Sequence, residues 1–170
     1  MSGSYLSAAF EHHVWANLRL IDVCGELSAE QLQATVPGIR GPILATLRHI
    51  VAGDAQDLFI LTGDPAFDIA EEGLSLSEAR LIMERNGSAW AEHIARSPDP
   101  DAMVREVDSN DGYERTAPAS FRLAAALNHA TDHRSQICTV LTTIGVQPPS
   151  TDVYTFGVET GRVTEVMPKG

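Results

Sequence analysis

Apolar residues recur with a helical period in four long stretches of the chain, separated by breaks rich in glycine and proline. Over residues 5–27, Phe10, Val14, Leu18 and Ile21 fall at i, i+4, i+8 and i+11, which places them on one face of a 3.6-residue turn. Gly25 stands near its end, and Ser28-Ala29-Glu30 opens a polar connection. Pro37-Gly38 and Gly41-Pro42 mark loop. Pro42 suits the first turn of a second helix, where an N–H would have no intrahelical partner to lose. Its stripe is Ile43, Leu47, Ile50, Asp54, Leu58 and Leu61, and Gly63-Asp64-Pro65 ends it. After a loop over 64–74, a third helix begins at Ser75 or Ser77, either of which can cap it. It runs to about Arg96 with Leu76, Ala79, Met83, Trp90 and Ile94 inward, and Ser97-Pro98-Asp99-Pro100 stops it.

Residues 102–117 break the period. Met103–Val107 alternates weakly, Asp111-Gly112 is a turn signal and Tyr113–Ala117 reads as a return strand, so a small hairpin or an irregular loop is expected. The last long helix spans roughly 119–144, with Gly145 just past its end and Pro148-Pro149 beyond. The tail, 150–170, ends in a segment that reads as polar and frayed, at about 157–170. Four helices of this length predict an all-α four-helix bundle, one domain over residues 1–170.

Composition narrows the function classes. The net charge is -11, with a single lysine, Lys169, and no basic run. Such a surface repels phosphate backbones and anionic lipid heads, which argues against nucleic acid and membrane partners. No apolar run approaches the roughly 20 residues of a membrane helix. Met1-Ser2-Gly3-Ser4-Tyr5 has neither the basic nor the long apolar region of a signal peptide, so the expected address is the cytoplasm. Cys24 and Cys138 sit within helical patterns and read as reduced, buried thiols.

The six histidines carry the chemistry. His129 and His133 are four apart on the last helix and share a face with Ala126, Ile137 and Val140, so the pair points inward and within reach of one metal ion. Core histidines bonded to carboxylates or backbone would show the same spacing. His49 is the natural third ligand, yet it lies off the main stripe of its helix, near Ala45, Ala52 and Gln56, on a face turned to a neighbouring helix, to another subunit or to solvent. His13 flanks the first helix's stripe near Asn17 and reads as a rim or packing residue. His12 and His93 read as surface residues.

The stretch Leu127-Asn128-His129-Ala130-Thr131-Asp132-His133-Arg134-Ser135-Gln136-Ile137, followed by Gly145, Pro148-Pro149 and Asp152, resembles the DinB family of metal-binding four-helix bundles, which includes thiol-dependent transferases. Leu47-Arg48-His49-Ile50-Val51 with Asp54 is similar to the family's second-helix element, and His13-Val14-Trp15-Ala16-Asn17 to the W-A-N element of its first. The resemblance implies an up-down-down-up bundle with a long crossover between the second and third helices. It implies one divalent ion, Zn2+ or Ni2+, on His49, His129 and His133, and a homodimer.

Three imidazoles would leave such an ion open to a further ligand, the pattern of catalytic rather than structural sites. Asp54 is a candidate acceptor for the outer ring nitrogens, or simply a helix-surface acid. Arg134 would steer a carboxylate-bearing substrate or form a surface salt bridge. The resemblance points to transfer of a low-molecular-weight thiol to an electrophile. A metal-dependent hydrolase, a non-catalytic metal-binding stress-response module and a plain helical dimer are the alternatives.

Overall fold

The structure is a computed structural model that describes residues 5–107 and 112–168. Its elements are α1 (Tyr5–Gly25), α2 (Ala29–Leu32), α3 (Ile43–Thr62), a 3-10 turn (Pro65–Phe67), α4 (Leu76–Ala95), β1 (Met103–Val107), β2 (Glu114–Pro118), α5 (Ala119–Thr143) and α6 (Val153–Glu159). The four long helices form the expected bundle. Around its square, α1 packs on α4, α4 on α3, α3 on α5 and α5 on α1.

Side-chain pairings fix the directions. Asp22 near the end of α1 meets Arg80 near the start of α4, while Phe10 stacks on Trp90, so these two helices are antiparallel. Asp54 reaches both Asn86 and Trp90, and the α3 and α4 residues of each core cluster follow the same order, so α3 and α4 run parallel. Gly53 faces His129 and His49 faces both His129 and His133, which sets α5 antiparallel to α3. The order is therefore up-down-down-up. Parallel neighbours need a connection that returns the full length of the bundle, and residues 63–75 are that crossover. Arg48 Nε donates to the Leu74 carbonyl at 2.6 Å and pins its far end.

The ends of the helices follow local chemistry. Ser75, not Ser77, caps α4, and its Oγ accepts from the Glu78 amide while Glu78 accepts from the Ser75 amide. Past α5, the Gly145 amide donates to the Thr142 carbonyl and the Val146 amide to that of Leu141, with Gly145 at φ 78° in the left-handed region. Two short helices differ from the sequence reading. Ser28 opens α2 through a capping box with Gln31 rather than a plain polar connection. Asp152 caps α6, which was not read from the sequence and runs on to Glu159 in the segment read as frayed, and the buried Phe156 anchors it against His12 and Trp15. One apolar anchor in seven residues is too weak a pattern to count as periodicity.

The hairpin is present, with Met103 opposite Pro118 and Val107 opposite Glu114. Of its turn signal, Asp111 lies outside the described residues, as does Lys169. Behind the hairpin, Arg122 of α5 pairs with Glu106 of β1, and Asp57 of α3 is buried nearby. Burial, reinforced by the Asp54 charge and only partly offset by Arg122, pushes the Asp57 carboxyl up to about 7. The ordinary value is about 3.9. Between these pH values the folded chain holds a proton that the unfolded chain has released, so stability falls as pH rises from about 4 to 7. Asp57→Asn is expected to flatten that slope, worth at most about 4 kcal/mol. Urea denaturation at pH 5 and pH 8 measures it, and an unchanged slope would place the proton elsewhere.

The core has two apolar parts. One gathers Leu20, Ile43, Leu47, Met83, Ile137 and Leu141, and the other Phe10, Leu58, Trp90 and Leu123. Between them, at mid-height, lie the buried polar side chains of His13, Asn17, Asp54, Asn86 and Arg134. The first helix consequently buries its apolar stripe only in part, Phe10 and Ile21 being in the core, and turns a second, partly polar face inward beside it. Val14 and Leu18 are only partly buried, whereas His13, Asn17, Leu20 and Cys24 are fully so. Polar residues turn inward here because partners on the other helices await them.

Candidate metal centre

His49 projects from α3 toward α5, where His129 and His133 stand one turn apart. Of the three surroundings open to His49 from its sequence position, a neighbouring helix, another subunit or solvent, the structure places it against the neighbouring helix. A bundle helix touches two neighbours, and a single apolar stripe reports only one of these faces. The ring centroids are 4.7 to 5.0 Å apart and the ring planes cross at 72 to 84°. One nitrogen from each ring lies within 4.8 Å of the others, and Nε2 of His49 and of His129 are 2.9 Å apart.

The outer nitrogens are held. Nδ1 of His49 lies 2.9 Å from Glu71 Oε2, and Nδ1 of His133 lies 3.1 Å from Gln136 Oε1. An oxygen acceptor at Nδ1 fixes the proton there and leaves the Nε2 lone pair facing the centre. The same two acceptors are braced in turn, since Arg40 donates its backbone N–H to Gln136 and a guanidinium N–H to Glu71. The chain from His133 through Gln136, Arg40 and Glu71 to His49 thus ties two of the three rings together from outside.

Electrostatics favour the neutral form of His49 and His129. Burial, then the neighbouring His49 and His133, bring the His129 pKa down to about 4. Burial also lowers that of His49, against the opposing pull of the Glu71 hydrogen bond. Neutral imidazole is the form that binds a cation. With the His49 proton held at Nδ1, its Nε2 lone pair can accept the Nε2–H of a neutral His129 across this 2.9 Å gap, and a cation between the rings would take both lone pairs once the His129 proton sits on Nδ1. The donor set therefore fits a divalent ion, and three protein ligands leave it room for a further one.

Gly53 shapes the site and escaped the sequence reading. A Cβ there would stand 2.6 Å from His129 Cε1. Only a residue without a side chain lets the ring lie this close to α3. A glycine inside an otherwise apolar helix, one turn after His49, was the available signal. Glu71 gave none, because it sits in a loop 22 residues from His49.

The DinB family model matches residues 1–162. The chain belongs to the DinB family. No curated protein is similar enough to the chain to match it. The three histidines that the DinB resemblance brought forward are the three that the fold gathers.

The other residues singled out alongside them in the DinB pattern stand elsewhere. Asp54 is neither a surface acid nor an acceptor for the three rings. It is buried and accepts from His13 Nε2 at 2.7 Å, Asn86 Nδ2 at 2.9 Å and Trp90 Nε1 at 2.9 Å. His13 is no rim residue, being 1% exposed. Asn17 accepts from Arg134 at 2.9 Å. Arg134 is buried, not part of a surface salt bridge. No hydrogen bond among the described residues joins this cluster to the three rings. His12 and His93 are both half-buried rather than surface groups, and His12 Nε2 donates to the Thr151 carbonyl. Both cysteines are free, Cys24 buried and Cys138 half-buried, and burial pushes the Cys24 thiol up to about 12. Neither joins the histidine group.

Proposed function

We propose that this DinB-family chain holds one divalent ion, Zn2+ or Ni2+, on His49, His129 and His133 and uses it to transfer a low-molecular-weight thiol to an electrophile. The observation that carries the reading is the convergence of three imidazoles with two outer nitrogens tied to Glu71 and Gln136. When bound, such an ion supplies Lewis acidity that keeps a thiol ionised near neutral pH. The chain's own part is positional. Glu71 and Gln136 set tautomer and ring angle, Gly53 lets His129 approach, and the half-buried rings leave one side open for substrate. Neither cysteine competes as nucleophile, because both thiols are held above their ordinary pKa by burial.

The test has two stages. Metal content after chelator-free purification is expected near one equivalent, falling at least tenfold in His129→Ala and His133→Ala and staying unchanged in His93→Ala. Equal retention in all variants rejects the site. The loaded protein is then incubated with a panel of small thiols and a chromogenic electrophile. Turnover that needs both thiol and metal supports transfer, whereas hydrolysis of activated esters without thiol would replace it with the hydrolase reading.

A further inference from the structure

A second cavity, of about 410 Å³, opens between α1, α5 and α6 and shares no lining residue with the three histidines. Its size is that of small-molecule sites. Leu127, Val153, Phe156 and Val163 give it apolar walls. Its polar lining includes Arg134, His12 and Arg162, and no acidic side chain lines it among the described residues. In a chain of net charge -11, such a local reversal of sign is a specific feature rather than background.

Arg134 is the decisive group. It is only 5% exposed, and its guanidinium donates to Asn17 Oδ1 and Thr131 Oγ1, both at 2.9 Å and both neutral. No carboxylate pairs with it among the described residues. The buried Asp54 is already engaged by His13, Asn86 and Trp90, and acts on Arg134 through its field rather than through a hydrogen bond or ion pair. Arg162 differs, since Glu11 neutralises it while its guanidinium covers the Phe156 ring at 4.9 Å. Burying a guanidinium against neutral oxygens alone is costly, and buried charges are as a rule paired. An anion in the cavity would supply the missing partner, and guanidinium geometry favours a carboxylate.

We infer that this cavity binds a small monocarboxylate with an apolar body, its carboxylate on Arg134 and its body between Leu127 and Phe156. Charge and walls together define the class. A purely inorganic anion would leave the apolar surface wet, and a neutral apolar molecule would leave Arg134 without a counter-charge. The site stands independently of the metal reading.

Hexanoate is the probe, with 1-hexanol as its uncharged counterpart, each titrated into the full-length metal-loaded protein and followed by amide NMR shifts. Hexanoate is expected to saturate at about a millimolar, with shifts centred on Thr131 and Gly157, and hexanol to bind at least tenfold more weakly. Arg134→Met should abolish the difference between the two, but it also removes two buried hydrogen bonds. Ala9→Phe therefore serves as the second variant. Ala9 lines the cavity from α1, and filling it should weaken hexanoate at least tenfold while metal content stays unchanged. Hexanoate binding no tighter than hexanol, shifts that centre on His49, His129 and His133, or full binding in Ala9→Phe would each overturn the inference.

Discussion

Alanine at position 53 is expected to strip the site of its ion while leaving the fold at least as stable. The new Cβ would sit 2.6 Å from His129 Cε1 and 3.1 Å from its Nδ1, so the ring must retreat from the other two. The loss should be at least the 10- to 100-fold that misplacing a metal ligand's support brings. Stability should move the other way, because alanine is better than glycine in a helix interior by about 1 kcal/mol. Metal analysis and thermal melting in chelator separate the two effects. Gly25→Ala is the control, since nothing lies within 4 Å of its added Cβ. A Gly53→Ala protein that keeps its full metal content would show that His129 is not where the ion binds.

The largest cost in stability is expected from Asp54→Ala. One carboxylate satisfies a histidine from α1 and an asparagine and a tryptophan from α4, all buried. Its removal orphans three N–H donors at once, and each buried orphan costs about 1–3 kcal/mol. Partial relaxation and water entry bring the expected total to about 3–5 kcal/mol, against a typical stability of 5–15 kcal/mol. Urea unfolding reads it directly. Asp22→Ala, which cuts the exposed pair with Arg80, is expected to change little. Equal effects of the two substitutions would mean that the mid-height polar cluster is soft or hydrated.

The four long helices and the loop over 64–74 were legible because each leaves a run of evenly spaced apolar residues or a clear break between such runs, whereas the weak alternation over 102–117 left a hairpin or a loop open and the crossover topology needed the family pattern. The two short helices were not legible, because four or seven residues hold no period. Ser28 and Gln31 did carry a capping signal that apolar counting passes over. His129 and His133 were visible as a pair, since one helix supplies both. His49 needed the family pattern, because its angle to an apolar stripe says nothing about a second packed face. The polar cluster was misjudged residue by residue for a shared reason. His13 between rim and packing, Asp54 between acceptor and surface acid, and Arg134 between substrate and surface pair could not be decided alone, and only their mutual bonds across three helices make burial affordable.

Glu71 belongs to the crossover, not to any helix of the bundle. Loops accept insertions and deletions that helices do not. Grafting crossovers that keep Phe67 and Ile69 in the core but vary the stretch around Glu71 would therefore change the outermost grip on His49, with the three rings and the four long helices in place. Strength of ion capture and architecture of the bundle can then diverge independently among relatives.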